Sequence, residues 1–123
     1  MWGDIGDFCR SHGLVFVPAV APGHDDLKVR PWNKLWRRER GSGAYYARMW
    51  QAATSAGAGA VLINSFNDWN SGTQIEPATA EAREGFASYS PGEPDFYLQA
   101  TAKHAKAFVE TVRARSSMAR DEL

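Results

Sequence analysis

Two unbroken apolar runs punctuate the chain, Leu14-Val15-Phe16-Val17-Pro18-Ala19-Val20 and Ala60-Val61-Leu62-Ile63, and a long polar stretch follows each. Runs this short and without alternation predict strands buried on both faces, as in a parallel sheet. Around them the period changes to that of a helix. Residues 2–12 read as a helix stopped by Gly13. Residues 44–56 place Tyr46, Met49, Trp50 and Ala53 on one helical face, with Ser42 as the expected N-cap and Gly57 as the stop. Residues 94–115 predict a third helix, with Pro94 in its first turn and Leu98, Thr101, Ala105, Phe108, Val109 and Val112 as its buried stripe.

The predicted order is helix, strand, helix, strand, helix, an α/β arrangement in which the long loops leave the strands. Residues 21–43 exceed the usual connection length, so that stretch is expected to be functional, disordered or to hide a short helix. In an α/β barrel the site is assembled from the loops at the C-terminal ends of the strands, which is where this chain places its unusual residues. Such a barrel takes about 250 residues and eight strands, whereas two strands are legible here. The expected fold is therefore the C-terminal portion of a (β/α)8 TIM barrel, its last two strand–helix units, over residues 1–115, with a tail at 116–123. Two parallel strands with open edges make a poor sheet by themselves.

Composition narrows the partners. With 44% hydrophobic and 23% charged residues the chain matches an ordinary globular domain, neither disordered nor membrane-spanning. Fourteen basic and fourteen acidic side chains cancel, so nothing argues for nucleic acid or an anionic membrane, and a neutral partner is expected. The aromatic load, five Trp, four Tyr and six Phe, is heavy for 123 residues. Most of these rings are expected in the core, but ring faces with polar edges also suit sugars. The single cysteine, Cys9, excludes an internal disulfide and, beside Phe8 and Leu14, reads as a buried structural thiol. No run of about 18 apolar residues exists to span a membrane, and the first residues have neither the charge nor the apolar stretch of a signal peptide. The ending Arg120-Asp121-Glu122-Leu123 has the form of a KDEL-type signal, which a receptor reads in the lumen of the secretory pathway.

Two clusters carry candidate chemistry. After the first strand, Pro22-Gly23 sets a tight turn before His24, Asp25 and Asp26, and Arg30-Pro31-Trp32-Asn33 follows. These polar groups either face a ligand or form a solvated acidic pair with Arg30 bound to one of the acids. After the second strand comes Asn64-Ser65-Phe66-Asn67-Asp68-Trp69-Asn70-Ser71-Gly72-Thr73-Gln74-Ile75-Glu76-Pro77, in which Asp68 and Glu76 are the only carboxylates. Amides and hydroxyls interleaved with aromatic rings are what a polyhydroxylated ligand needs. The alternative is an irregular loop that satisfies its own hydrogen bonds.

Taken together, Val17-Pro18-Ala19-Val20-Ala21-Pro22-Gly23, Arg30-Pro31-Trp32-Asn33, Tyr45-Tyr46 and Ser65-Phe66-Asn67-Asp68-Trp69 followed by Gly72-Thr73-Gln74-Ile75-Glu76 resemble the C-terminal third of glycoside hydrolase family 99. The motifs occur in that family's order and spacing, from about Trp2 to about Phe108. The resemblance implies a (β/α)8 endo-α-1,2-mannosidase that releases a glucosylated mannose unit from a high-mannose N-glycan, with retention and without metal or organic cofactor. One carboxylate takes the proton of the sugar's own 2-hydroxyl, which attacks the anomeric carbon to give a 1,2-anhydro sugar. A second carboxylic acid protonates the leaving oxygen and later activates water.

In the family both acids lie in a motif Phe-Asn-Glu-Trp-x-Glu-Gly-Thr-Gln-Ile-Glu. Carried over residue by residue, the catalytic positions fall on Asp68 and Ser71, while the flanking residues match. Asp68 keeps the charge on a side chain one methylene shorter, and Ser71 cannot act as an acid at neutral pH. His24 stands where the better-known members have Tyr. The resemblance further implies that His24, Asp26, Arg30, Trp32, Asn67, Trp69, Gln74 and Glu76 bind substrate.

The leading expectation is thus a hydrolase of this family, in the lumen of the ER or Golgi, whose catalysis is reduced or lost. The alternatives are a non-catalytic glycan-binding protein of the secretory pathway, or an inactive gene fragment. Expected partners are a high-mannose glycan or oligosaccharide and a KDEL-type receptor.

Overall fold

A computed structural model describes residues 1–79, 84, 86 and 88–122. Its elements are helix α1 (Trp2–Ser11), strand β1 (Ala19–Val20), helix α2 (Ala44–Ser55), strand β2 (Leu62–Ile63) and helix α3 (Phe96–Asp121). Short 3-10 turns at Lys34–Trp36 and Gly41–Gly43 occupy the long connection before α2. The α/β order expected from the apolar pattern is present. β1 and β2 are parallel and adjacent, with Ala19 opposite Leu62 and Val20 opposite Ile63. Hydrogen bonding extends beyond these two-residue strands: Gly59 N–H donates to the Phe16 carbonyl, Leu62 N–H to Pro18 and Asn64 N–H to Val20, at 3.1, 3.0 and 2.8 Å.

The core lies between α2, α3 and β1. Tyr46, Trp50 and Ala53 of α2 are buried against Tyr97 and Phe108 of α3 and Val20 of β1. Edge-on packing of Trp50 on Tyr46 and on Phe108, with ring centroids 6.0 and 6.1 Å apart, fills the seam between the helices. The Tyr46 hydroxyl meets the Thr101 hydroxyl at 2.9 Å, so its one polar atom is satisfied inside the core. At the far end of α2, Arg115 of α3 donates to the Thr54 carbonyl at 2.6 Å, where a helix terminus leaves carbonyls without partners. α1 docks on the same end, and a Cβ on its buried Gly6 would come within 2.3 Å of the Ala56 carbonyl oxygen.

Several sequence expectations need correction. The strands are not buried on both faces: Val20 is buried, but Val15 is 72% and Leu62 62% exposed. Among the described residues α2 and, through Trp2 against Phe16, α1 pack on the strands while both edges stay open, so much of the apolar run faces solvent. Ser42 does not cap α2. The helix begins after Gly43 in a left-handed conformation, φ +90, with no side-chain cap. Pro94 lies outside α3, which starts at Phe96 behind Asp95 and continues to Asp121. Val109 is exposed rather than part of the buried stripe. Cys9 is only partly buried, because Phe8 and Leu14 are themselves exposed and leave it uncovered.

His104 stacks on Trp50, with centroids 5.9 Å apart and planes inclined by 23°. Burial depresses the imidazole pKa, and the nearby Lys103 charge adds to it. The unfolded chain therefore binds the proton more readily than the folded one, so stability is full above the ordinary value of 6.5 and falls as pH drops through and below it. Thermal unfolding followed from pH 8 to pH 5 is expected to show this loss, and His104→Phe, which keeps the stacked ring, is expected to flatten the curve in that range. An unchanged slope in the variant would place the titration elsewhere.

Candidate active site

The loop leaving β2 closes on itself. Ser65 N–H donates to the Thr73 carbonyl at 2.9 Å and Thr73 N–H to the Asp68 carbonyl at 3.2 Å. The Ser65 and Thr73 hydroxyls meet at 2.7 Å, and Ser65 Oγ also accepts from the Asp68 amide at 3.0 Å. The amides of Ile75 and Glu76 both bond the Phe66 carbonyl, at 3.0 and 2.9 Å. Short hydroxyl side chains make such local bonds readily, which is why this polar sequence forms an ordered loop instead of a longer strand. Asn67 and Asp68 remain exposed.

Asp68 and Ser71 are neighbours. Ser71 N–H donates to Asp68 Oδ1 at 3.0 Å. The Ser71 hydroxyl and amide hold the Asp68 carboxyl below its ordinary pKa against a weaker opposing effect of burial, while the Asn70 amide and the Arg30 charge lower it further. Trp69, between them in sequence, donates its indole N–H to Glu76 Oε1 and lies parallel to Tyr89, with centroids 6.5 Å apart. One Glu76 oxygen is thus engaged in orienting Trp69.

The loop after β1 supplies the facing wall. Asp26 is 2% exposed and accepts from Asn33 Nδ2 on both oxygens, at 3.0 and 2.9 Å, and from Arg30 Nη1 at 3.1 Å. Its carboxyl is held below the ordinary value by the Asn33 bond first, with burial opposing and Arg30 and the His24 charge adding. Arg30 therefore does pair with one of the two acids. Asp25 pairs instead with Arg37 at 3.0 Å. His24 exchanges main-chain bonds with Arg38, at 2.9 and 2.7 Å, which folds this long loop back along itself. Trp32, by contrast, is 79% exposed.

The two loops touch backbone to backbone. Asp25 N–H donates to the Ser71 carbonyl at 3.0 Å. Gly72 has φ +63, and a Cβ there would sit 2.8 Å from the Asp25 carbonyl oxygen, so only glycine fits both the conformation and the approach. Behind this junction lies a cavity of about 260 Å³ whose lining includes His24, Arg40, Trp69, Gln74, Tyr89 and Tyr97. Gln74 is buried, and its Oε1 has no hydrogen-bond partner among the described residues.

The expected site residues therefore separate into groups. Asp68, Ser71, Trp69 and Glu76 form one constellation on the β2 loop; Asp26 and Arg30 form another on the β1 loop, and the Arg30 charge reaches Asp68. His24 and Gln74 line the cavity behind, while Asn67, whose carbonyl accepts from the Trp69 amide at 3.0 Å, and Trp32 are exposed. Three contributors were not picked out from the sequence: Asn33, which grips Asp26, and Arg40 and Tyr89, which hold the β2 loop from below. Asn33 stands in a quoted motif, but a bond across seven residues of turn has no periodicity to reveal it. Among the described residues no group of His, Cys, Asp or Glu is placed to hold a metal ion, and no helix is long and apolar enough to cross a membrane.

Comparison with known proteins extends this geometry. The profile of Glycosyl hydrolase family 99 matches residues 1–110. A Glycoprotein endo-alpha-1,2-mannosidase-like protein of Danio rerio is 42% identical over 109 residues, covering 87% of this chain and 25% of that protein. Glycoprotein endo-alpha-1,2-mannosidase of Mus musculus is 38% identical over 109 residues, covering 87% and 24%. The chain thus spans about a quarter of the length of these relatives. The solved GH99 endo-alpha-mannosidase from Bacteroides thetaiotaomicron superposes with a TM-score of 0.84 at 38% identity, over 89% of this chain and 33% of that one. On these matches, the chain belongs to glycosyl hydrolase family 99.

Proposed function

We propose that this chain forms the last two strand–helix units of a (β/α)8 barrel that binds α-1,2-linked mannose glycans and hydrolyses them poorly. The observation that carries the reading is the state of the Asp68–Ser71 pair. In a substrate-assisted mechanism Asp68 would take the proton from the sugar's 2-hydroxyl as that oxygen attacks the anomeric carbon. The group at position 71 would then protonate the departing oxygen. A carboxylate whose pKa is lowered by the Ser71 hydroxyl and amide is a weaker base than a free one, and the Ser71 hydroxyl is no acid at neutral pH. Both steps are impaired at once.

Binding is less affected. Trp69 is fixed by Glu76 and Tyr89, and Arg30 is held by Asp26, so a ring face and a guanidinium remain beside the exposed Asp68. In this reading Asp26 acts by orienting Arg30, while Asn67 and Trp32, both exposed, contact the sugar directly. Glu76 has one oxygen bonded to Trp69 and leaves the other for a hydroxyl. His24 and Gln74 support the wall behind, and neither metal nor organic cofactor takes part. The alternative of a glycan-binding protein without turnover rests on the same pair and differs only in whether the residual rate is measurable. Titration with a glucosylated high-mannose glycan, paired with analysis of the products, tests both: binding without release of a glucosylated mannose unit supports recognition alone, and absence of binding defeats both.

Residues 116–123, of which 116–121 continue α3, belong to this reading as a retrieval signal for a protein of the secretory lumen, although Leu123 lies outside the described residues. A receptor of the KDEL type reads a free C-terminus, so one extra residue after Leu123 is expected to release the protein into the medium. Equal retention with the extended tail would remove the signal reading.

A further inference from the structure

We propose that Arg40 is the positioning residue of the β2 loop, holding the segment on which Asp68 is registered. Arg40 Nη2 donates to two carbonyls of that loop, Gly72 at 3.0 Å and Gln74 at 2.8 Å. These carbonyls bracket Thr73, which is buried and whose amide donates to the Asp68 carbonyl at 3.2 Å. The guanidinium thus fixes the returning arm of the loop, and that arm fixes the main chain at Asp68. Tyr89 works beside it, donating its hydroxyl toward Gln74 and Glu76 carbonyls at 3.2 and 2.8 Å.

The side chain reaches this position by a route prepared for it. A Cβ at Gly23 would stand 2.7 Å from Arg40 Cγ, so the arginine stem runs against the backbone of the β1 loop. Its guanidinium carbon lies 4.5 Å from the centre of the Tyr97 ring and 5.2 Å from that of Tyr89, within range for a cation over an aromatic face. Arg40 therefore ties three segments together: the β1 loop, the β2 loop and the start of α3. Its Nη1 is buried with no partner among the described residues. An unpaired buried donor is costly, so packing alone would be served better by an apolar chain of similar length. What arginine adds is the two-carbonyl grip, which a planar fork gives with less loss of freedom than a lysine ammonium.

The purpose of the loop rests on the glycan reading above, but the grip itself does not, and the test keeps them apart. The 123-residue chain is compared with Arg40→Met and Arg40→Lys. The first readout is the indole N–H resonance of Trp69, assigned by its loss in Trp69→Phe, because that proton is held by Glu76 two residues beyond the gripped carbonyl. The second is the affinity for α-1,2-linked mannotriose. In Arg40→Met the Trp69 proton is expected to move toward the free indole position, and affinity to fall about tenfold, the equivalent of one lost charge-assisted bond. Arg40→Lys is expected to be intermediate in both. Thermal midpoints are not expected to follow that order, since methionine preserves the packing and relieves the unpaired donor.

A Trp69 resonance unchanged in Arg40→Met overturns the proposal. If that variant does not fold, Arg40→Lys decides alone, and a resonance identical to the parent's overturns it. If the parent binds no mannotriose, the glycan reading fails, while a Trp69 shift graded from arginine through lysine to methionine still upholds the grip.

Discussion

Ser71→Glu, in a complete barrel carrying this chain as its last units, is expected to raise turnover of an α-1,2-mannosidic bond by on the order of 10²- to 10⁴-fold. That is the range a positioned general acid contributes, about 2.7–5.5 kcal/mol of barrier. The departing oxygen otherwise leaves as an alkoxide or takes its proton from water. The substitution has a second effect, because the Ser71 hydroxyl is a chief cause of the lowered Asp68 pKa. Replacing it with a carboxylic acid removes that bond and puts a titrating neighbour in its place, which raises the Asp68 pKa toward a more useful basicity.

Asp68→Glu on top of Ser71→Glu restores the longer reach of the base. The methylene is worth about 1.5 Å, and misplacement of about 1 Å can cost on the order of 10²-fold, since proton abstraction needs hydrogen-bond contact. The two gains are not expected to multiply, because residues acting as one unit are non-additive. Affinity for the glycan is expected to stay within a few-fold, as Trp69 and Arg30 are untouched. If the unsubstituted protein already turns over at the double variant's rate, another residue supplies the proton, and the reading of an impaired hydrolase fails.

The ordered loop after β2 was more legible in the sequence than the burial of the strands and the helix starts were. Polar residue types at close spacing in 64–77 announce an ordered loop whatever surrounds it, since Ser65, Asp68, Ser71 and Thr73 bond within eight residues of one another. The strands were harder, because an apolar run reports a preference for burial and not what covers it. Val15 and Leu62 have that preference and face solvent. Helix starts also misled: Ser42 is a good cap by type, but with Gly41 and Gly43 both at positive φ the backbone turns past it. Asn33 and Arg40 were beyond reach for a different reason. Their bonds span loops with no repeating geometry, so nothing along the chain marks Asp26 as Asn33's partner or Gly72 as Arg40's.

Trp50→Ala is expected to cost about 3–5 kcal/mol of folding stability, the usual range for emptying a buried aromatic site. Trp50 is 5% exposed and its ring touches Tyr46, His104 and Phe108, so the side chain joins α2 to α3 at their midpoint. Against a total of roughly 5–15 kcal/mol for a domain, that loss leaves little or none. The indole N–H, however, has no partner among the described residues, and a buried unsatisfied donor costs about 1–3 kcal/mol. Trp50→Phe removes this donor together with part of the ring, and the two effects oppose each other, so the variant is expected within about 1 kcal/mol of the parent. Chemical denaturation of the three proteins decides it. A phenylalanine variant as unstable as the alanine one would mean that the indole N–H is satisfied and that its bond, rather than ring volume, holds the helices together.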